Sequence, residues 1–215
     1  MNRFLQQALA AIAALSMAGG ISLAQETPEK LAQETPEKQV YMAANAHFDT
    51  QWRWNVRQSI GEFLPNTLYQ NFALMEQYPD YKFSFEGAVK HYWTKEYYPH
   101  LYSTLVKYVK EGRWYPAGAS WDANDFNVPS AESNFKNILL AEEFYKAEFG
   151  VKSYDIMLPD CFGFGYALPS IASHCGVFAF HTQKLKWRNN PFYEGGKKWP
   201  FEFGIWEGVE IGRAH

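Results

Sequence analysis

Val40-Tyr41-Met42-Ala43-Ala44, followed directly by Asn45-Ala46-His47-Phe48-Asp49-Thr50-Gln51-Trp52, is the stretch whose reading decides the fold. A short apolar run suits a strand buried within a sheet better than it suits a helix. The run ends in reactive side chains. His47 and Asp49 stand two positions apart, so in extended backbone both side chains leave the same face. An isolated H-x-D is ordinarily a His–Asp hydrogen bond in a polar loop. An imidazole and a carboxylate converging at a strand end also supply two-thirds of an open metal site.

Working outward, residues 61–78 place Phe63, Leu64, Leu68, Phe72 and Met75 on one helical side, and residues 81–85 alternate like a strand. Leu101, Leu105, Tyr108 and Val109 mark a helix ended by Gly112, and 113–116 read as a short strand. Pro129-Ser130 opens a helix with Ser130 as its N-cap, with Phe135, Ile138, Leu139 and Tyr145 on the buried stripe and Gly150 as the stop. Strands are expected at 154–158, 177–180 and 201–206, with a helix at 167–174. Strands alternating with helices define an α/β chain with a parallel sheet. In such folds chemistry gathers where strands end and loops begin, here after residues 44, 117, 158 and 180.

The chain has 215 residues, 47% of them apolar, with 20 basic against 23 acidic side chains and a net charge of -3. This apolar share excludes a disordered tail, and the charge balance argues against a nucleic-acid or membrane-surface binder. Two cysteines exclude a disulfide scaffold and a Cys-rich zinc module. Aromatic residues are in surplus, with 8 Trp, 14 Tyr and 17 Phe. Flat rings thicken a core, and they also stack against the C–H faces of sugars.

The N-terminal segment reads differently. Residues 1–24 have the form of a signal peptide: Arg3 near the start, an apolar core over 8–21, and small Ser22 and Ala24 before a cleavage point. The Gly19-Gly20 interruption speaks against a membrane anchor, so a periplasmic or secreted mature chain starting at Gln25 is expected. Residues 23–30 and 31–38 both read LAQETPEK, which makes 25–38 a duplicated polar leader without assigned function. The globular part is expected over 39–215.

A second motif, Leu158-Pro159-Asp160-Cys161-Phe162-Gly163-Phe164-Gly165, puts a carboxylate at a strand terminus ahead of glycines that allow a tight turn. Alone, Asp160 would be a turn residue. Together with His47 and Asp49 it brings one nitrogen and two oxygen ligands toward one rim.

AHFDTQWRW, EGRWYPAGASWDANDFNVPSAES, LPDCFGFGYALPSI, TQKLKWRNNPF and FGIWEG occur in that order. Over residues 40–209 they resemble the N-terminal catalytic domain of glycoside hydrolase family 38, the retaining α-mannosidases. The resemblance implies a partial irregular β/α barrel of the seven-stranded type, with parallel strands and flanking helices. It implies zinc held by His47, Asp49 and Asp160, with Asp160 also the nucleophile. Trp52 matches an aromatic of the sugar subsite, and Asp125 lies near the same rim. The implied partner is a mannose-containing oligosaccharide or glycoprotein glycan, with no nucleic acid and no membrane once the signal is removed. The family's fourth zinc ligand and its general acid fall beyond anything matching residues 1–215, and His215 is not assigned to either role. This chain is therefore expected to be a fragment that binds zinc weakly, does not turn over mannosides by itself, and leaves a hydrophobic edge open.

Two other functions compete: a metal-dependent carbohydrate deacetylase, which usually adds an H-x-x-x-H pair not found here, and a non-catalytic mannose-binding remnant. His91, His100, His174 and His181 have no ligand spacing with each other and read as surface or core residues. Cys161 and Cys175, at opposite ends of a helical segment, read as free thiols. Glu86, Glu132 and Glu207 read as helix-surface or loop carboxylates.

Overall fold

Three short strands lie parallel and side by side: β1 (Ala44–Ala46), β2 (Phe83–Glu86) and β3 (Trp114–Ala117). Ala44 faces Phe83, and Phe83 faces Trp114, so all three chains run out at the same edge. A second parallel pair is formed by β4 (Asp155–Met157) and β5 (Ala179–His181). The backbone N–H of Ala119 donates to the carbonyl of Asp155 at 2.6 Å, which ties the segment after β3 to β4. These elements belong to the computed structural model, which describes residue 40, residues 42–186 and residues 203–208. All of them lie in the compact unit that begins at Met42.

Parallel strands need long return connections, and helices supply them. They are α1 (Leu64–Gln77), α2 (Ala88–Tyr97), α3 (Pro99–Lys110), α4 (Ala131–Phe149) and α5 (Leu168–His174). A capped turn at Val56–Gln58 and a π-helical turn at Ser59–Phe63 lead into α1. Ser130 caps α4 by accepting from the Ser133 N–H, and Gly150 closes it in the left-handed region at φ 69°. Both ends stand where the sequence puts them.

Two apolar clusters hold the elements together. In the first, Leu64, Leu68, Phe72 and Met75 of α1 pack on Phe83, Phe85 and Trp114 of the sheet. In the second, Ile138 of α4 and Leu168 and Ile171 of α5 cover Ile156 and Leu158. His91 is a core residue. Its Nδ1 lies 3.1 Å from the Gly87 carbonyl, its Nε2 accepts from Trp114 Nε1, and burial pushes its pKa down to about 4, so it is neutral. His181 pairs with Asp155 at 3.7 Å, and both cysteines are free thiols.

The structure corrects several readings. The first strand starts at Ala44 rather than Val40, because its partner β2 begins opposite Ala44 and offers no ladder before it. Val40 and Met42 are exposed. Helix α2 escapes the sequence pattern because its buried side includes Lys90, His91 and Thr94, which break the apolar period. Leu139 is exposed, and the buried stripe of α4 runs through Asn134, Ile138, Ala141, Tyr145 and Phe149. The strand read at 201–206 lies partly outside the described residues, and 203–208 carry no strand. The segments 1–24 and 25–38 lie wholly outside them. Among the described residues, no helix is long and apolar enough to cross a membrane.

Candidate active site

The common edge of the parallel strands positions the reactive groups. His47 follows β1 directly, Glu86 is the last residue of β2, and Asp160 stands just past β4. The loop carrying His47 and Asp49 is pinned locally. Thr50 Oγ1 donates to Asp122 at 2.6 Å, Ser59 Oγ donates to the Thr50 carbonyl, and Trp54 Nε1 donates to the Asp49 carbonyl.

His47 is the hub. Its Nε2 lies 3.4 Å from Asp49 Oδ1 and 3.6 Å from Asp160 Oδ2, while its Nδ1 lies 3.1 Å from Glu86 Oε1. The hydrogen bond to Glu86 raises the His47 pKa above 6.5; burial opposes this, and Glu86, Asp49 and Asp160 reinforce it by their charge. The second oxygen of Asp160 is engaged by the ammonium of Lys184, from the turn Lys184–Lys186 that follows β5. A cavity of about 300 Å³ opens here, lined by His47, Asp49, Asn124, Asp125, Asp160 and Phe162 among others.

The structure thus brings His47, Asp49 and Asp160 together and sets Asp125 on the same cavity wall. There Asp125 Oδ1 accepts from the Asn127 N–H at 2.6 Å. Trp52 is outside the cavity lining. It is 63% exposed, set edge-on to Trp54 and with the Arg53 guanidinium 4.6 Å from its ring. Sequence reasoning missed two residues. Glu86 is neither a helix-surface nor a loop carboxylate, since it ends a strand at 3% exposure against His47. A signal for it was available: β1 and β2 are parallel neighbours, so a polar residue ending one strand meets the residue after the other. Lys184 lies within the quoted TQKLKW segment, but its contact with Asp160 needs the β4–β5 pairing, which no local pattern announces.

These residues suit a small hard or borderline divalent cation. Among the described residues, no three His, Cys, Asp or Glu side chains stand in finished metal-holding geometry. The two donor pairs that share His47 nonetheless have the right spacing. Ligands about 2.0–2.1 Å from a tetrahedral zinc are about 3.3–3.4 Å apart, close to the 3.4 and 3.6 Å found. The imidazole nitrogen facing away is held by a carboxylate, as in zinc-binding histidines generally. The Lys184 ammonium occupies the other oxygen of Asp160. Cys161 lines the cavity, but burial, with the nearby carboxylates, pushes its pKa up to about 11. It is a protonated thiol whose Sγ lies 3.5 Å from the Asn124 carbonyl. The donor set is one nitrogen and two carboxylates.

Comparison with known proteins agrees with this α/β arrangement. Residues 37–210 match the glycosyl hydrolases family 38 N-terminal domain. The chain is 34% identical over 172 residues to alpha-mannosidase G of Dictyostelium discoideum, covering 80% of this chain and 15% of the relative. It is 31% identical over 176 residues to human alpha-mannosidase 2C1, covering 81% and 16% respectively. Among solved structures, an alpha-mannosidase from Enterococcus faecalis superposes with a TM-score of 0.59 at 20% identity, over 65% of this chain and 16% of that one. The chain belongs to glycoside hydrolase family 38, to its N-terminal domain. It spans about 15% of the length of the curated relatives it matches.

Proposed function

We propose that this chain carries the nucleophile and three of the zinc ligands of a retaining α-mannosidase acting on terminal mannosides of glycans. The observation that carries the proposal is the meeting of Asp49 and Asp160 at His47 Nε2. His47, Asp49 and Asp160 would hold the metal. Zinc bound there would supply a Lewis acid for two vicinal mannose hydroxyls, fixing the ring and favouring distortion toward an oxocarbenium-like geometry.

The remaining steps belong to the side chains. Asp160 attacks the anomeric carbon as a carboxylate while a second carboxyl group protonates the leaving oxygen, and water later hydrolyses the glycosyl ester. Lys184 engages the other oxygen of Asp160 and so helps to hold the carboxylate in place. Asp125 accepts hydrogen bonds from sugar hydroxyls at the cavity wall, and Trp52, an exposed ring, is the aromatic assigned to the sugar subsite. The parallel strands and their helices form part of a seven-stranded β/α barrel. Residues 1–24 direct the chain to the periplasm or outside the cell, residues 25–38 are a polar leader, and residues 39–215 are the domain. No residue of this chain is assigned as the general acid or as a fourth ligand, and the chain by itself is expected to bind mannosides without cleaving them.

The test is binding of methyl α-mannoside to the purified chain, with and without zinc, alongside a turnover assay on p-nitrophenyl α-mannoside. Zinc-dependent binding without turnover is expected. Zinc-independent binding, or turnover by the chain alone that Asp160→Asn abolishes, contradicts the proposal.

Zinc binding must also follow pH in a definite direction. A cation on Nε2 requires the neutral imidazole, so protons compete with it. Because the His47 pKa is raised, protonation persists above pH 6.5. Zinc affinity is expected to climb about tenfold per pH unit through that range and level off above the raised pKa. In the metal-free chain the sign is opposite. The stabilisation from protonated His47 is complete below pH 6.5 and lost as pH rises through the raised value. Isothermal titration across pH 6–9 (roughly the window in which imidazole and zinc compete) measures the first effect; a pH-independent affinity would exclude His47 as a ligand.

A further inference from the structure

Beneath the site lies a buried charged pair that the proposed chemistry does not use. Glu86 is 3% exposed and Lys90 is fully buried, with the ammonium 3.6 Å from Glu86 Oε1. Neither Glu86 Oε2 nor Lys90 Nζ has a hydrogen-bond partner among the described residues. The lysine stem is wedged between aromatic rings, with Nζ 5.6 Å from the centroids of both Phe48 and Phe85. Such a pair is costly. Desolvating two ions is seldom fully repaid by their attraction, so a buried pair is weak evidence for stability. Its position suggests another use.

The backbone is shaped to place it. Gly87 follows Glu86 with φ 81°, a left-handed conformation that lets the chain turn from β2 directly into α2. That turn carries Lys90 back over Glu86 one helical turn later. A Cβ at Gly87 would sit 3.3 Å from Lys90 Nζ. Of the two Glu86 oxygens, Oε1 is the one that reaches His47 Nδ1, at 3.1 Å, and it is the same oxygen that faces Lys90.

We propose that the Glu86–Lys90 pair is a positioning device for His47. Glu86 accepts a hydrogen bond from Nδ1–H and so fixes both the ring plane and the tautomer in which the Nε2 lone pair faces Asp49 and Asp160, while Lys90 holds Glu86 in place. The inference rests on the metal reading only for its purpose, not for its geometry. Glu86 touches no substrate or cation itself; it acts through the imidazole.

Long-range proton–nitrogen NMR of the metal-free 215-residue chain, at a pH where His47 is neutral, reads the tautomer directly. The Nδ1–H form is expected, and an Nε2–H form overturns the proposal. Zinc competition against a chromophoric chelator supplies the second readout. Glu86→Gln, which can donate as well as accept, is expected to mix the tautomers and weaken zinc by about 10–100-fold; an unchanged tautomer and affinity overturns the proposal. Should that variant fail to fold, the wild-type spectrum decides alone. A wild-type chain that shows Nδ1–H but takes up no zinc overturns the metal reading and upholds the positioning.

Discussion

Trp114→Ala will cost this domain about 3–5 kcal/mol, as truncation of a fully packed aromatic does. Among the described residues Trp114 is the largest of the fully buried side chains, and its ring meets Phe72, Phe83 and Phe85 at centroid distances of 4.7–5.6 Å. It also donates to His91 Nε2 at 3.1 Å, so its removal leaves a neutral, fully buried imidazole with an unpaired acceptor. Against a total stability of about 5–15 kcal/mol, that loss leaves a domain at the edge of unfolding. Urea denaturation followed by circular dichroism measures it, as a fall in midpoint at constant slope. Trp114→Phe keeps an aromatic ring in the cluster while removing the hydrogen bond and part of the volume, and should cost less. A loss below about 1 kcal/mol for the alanine variant would mean that the first apolar cluster is not the packed core described here. The consequence reaches the site, because Trp114 lies opposite Phe83 on the strand whose last residue is Glu86.

Much of this arrangement was legible in the sequence, for physical reasons that differ from element to element. Helix α4 could be read to the residue at both ends because a serine cap and a left-handed glycine are local chemistry. His47, Asp49 and Asp160 could be found because strand ends in parallel sheets gather in one place. What could not be read was set by partners distant in the chain. The start of β1 depends on where β2 begins, and α2 hides its Lys90 and His91 by burying polar groups against Glu86 and Trp114. Glu86 itself looked like a surface carboxylate because only the register of β1 against β2 brings it under His47. Lys184 was part of a recognised segment, yet its role at Asp160 follows from the β4–β5 pairing.

His47→Ala is the second large effect expected, and it bears on the centre of the account. The imidazole has one nitrogen shared by both carboxylates while the other is anchored to Glu86. Without it, Asp49 and Asp160 remain but lose the nitrogen donor that completes the set. Deleting a ligand must cost more than deleting its support, so zinc affinity should fall by more than about 100-fold. Asp160→Asn should fall in the same direction, while Cys161→Ser should change nothing, since the thiol is protonated and turned to the Asn124 carbonyl. The decisive measurement is a zinc titration of the purified chain and of His47→Ala, in competition with a chromophoric chelator at a pH above the His47 titration. One weakly held zinc per wild-type chain, and its loss in the variant, are expected. A wild-type chain that takes up no zinc, or a variant that holds it as tightly, contradicts it.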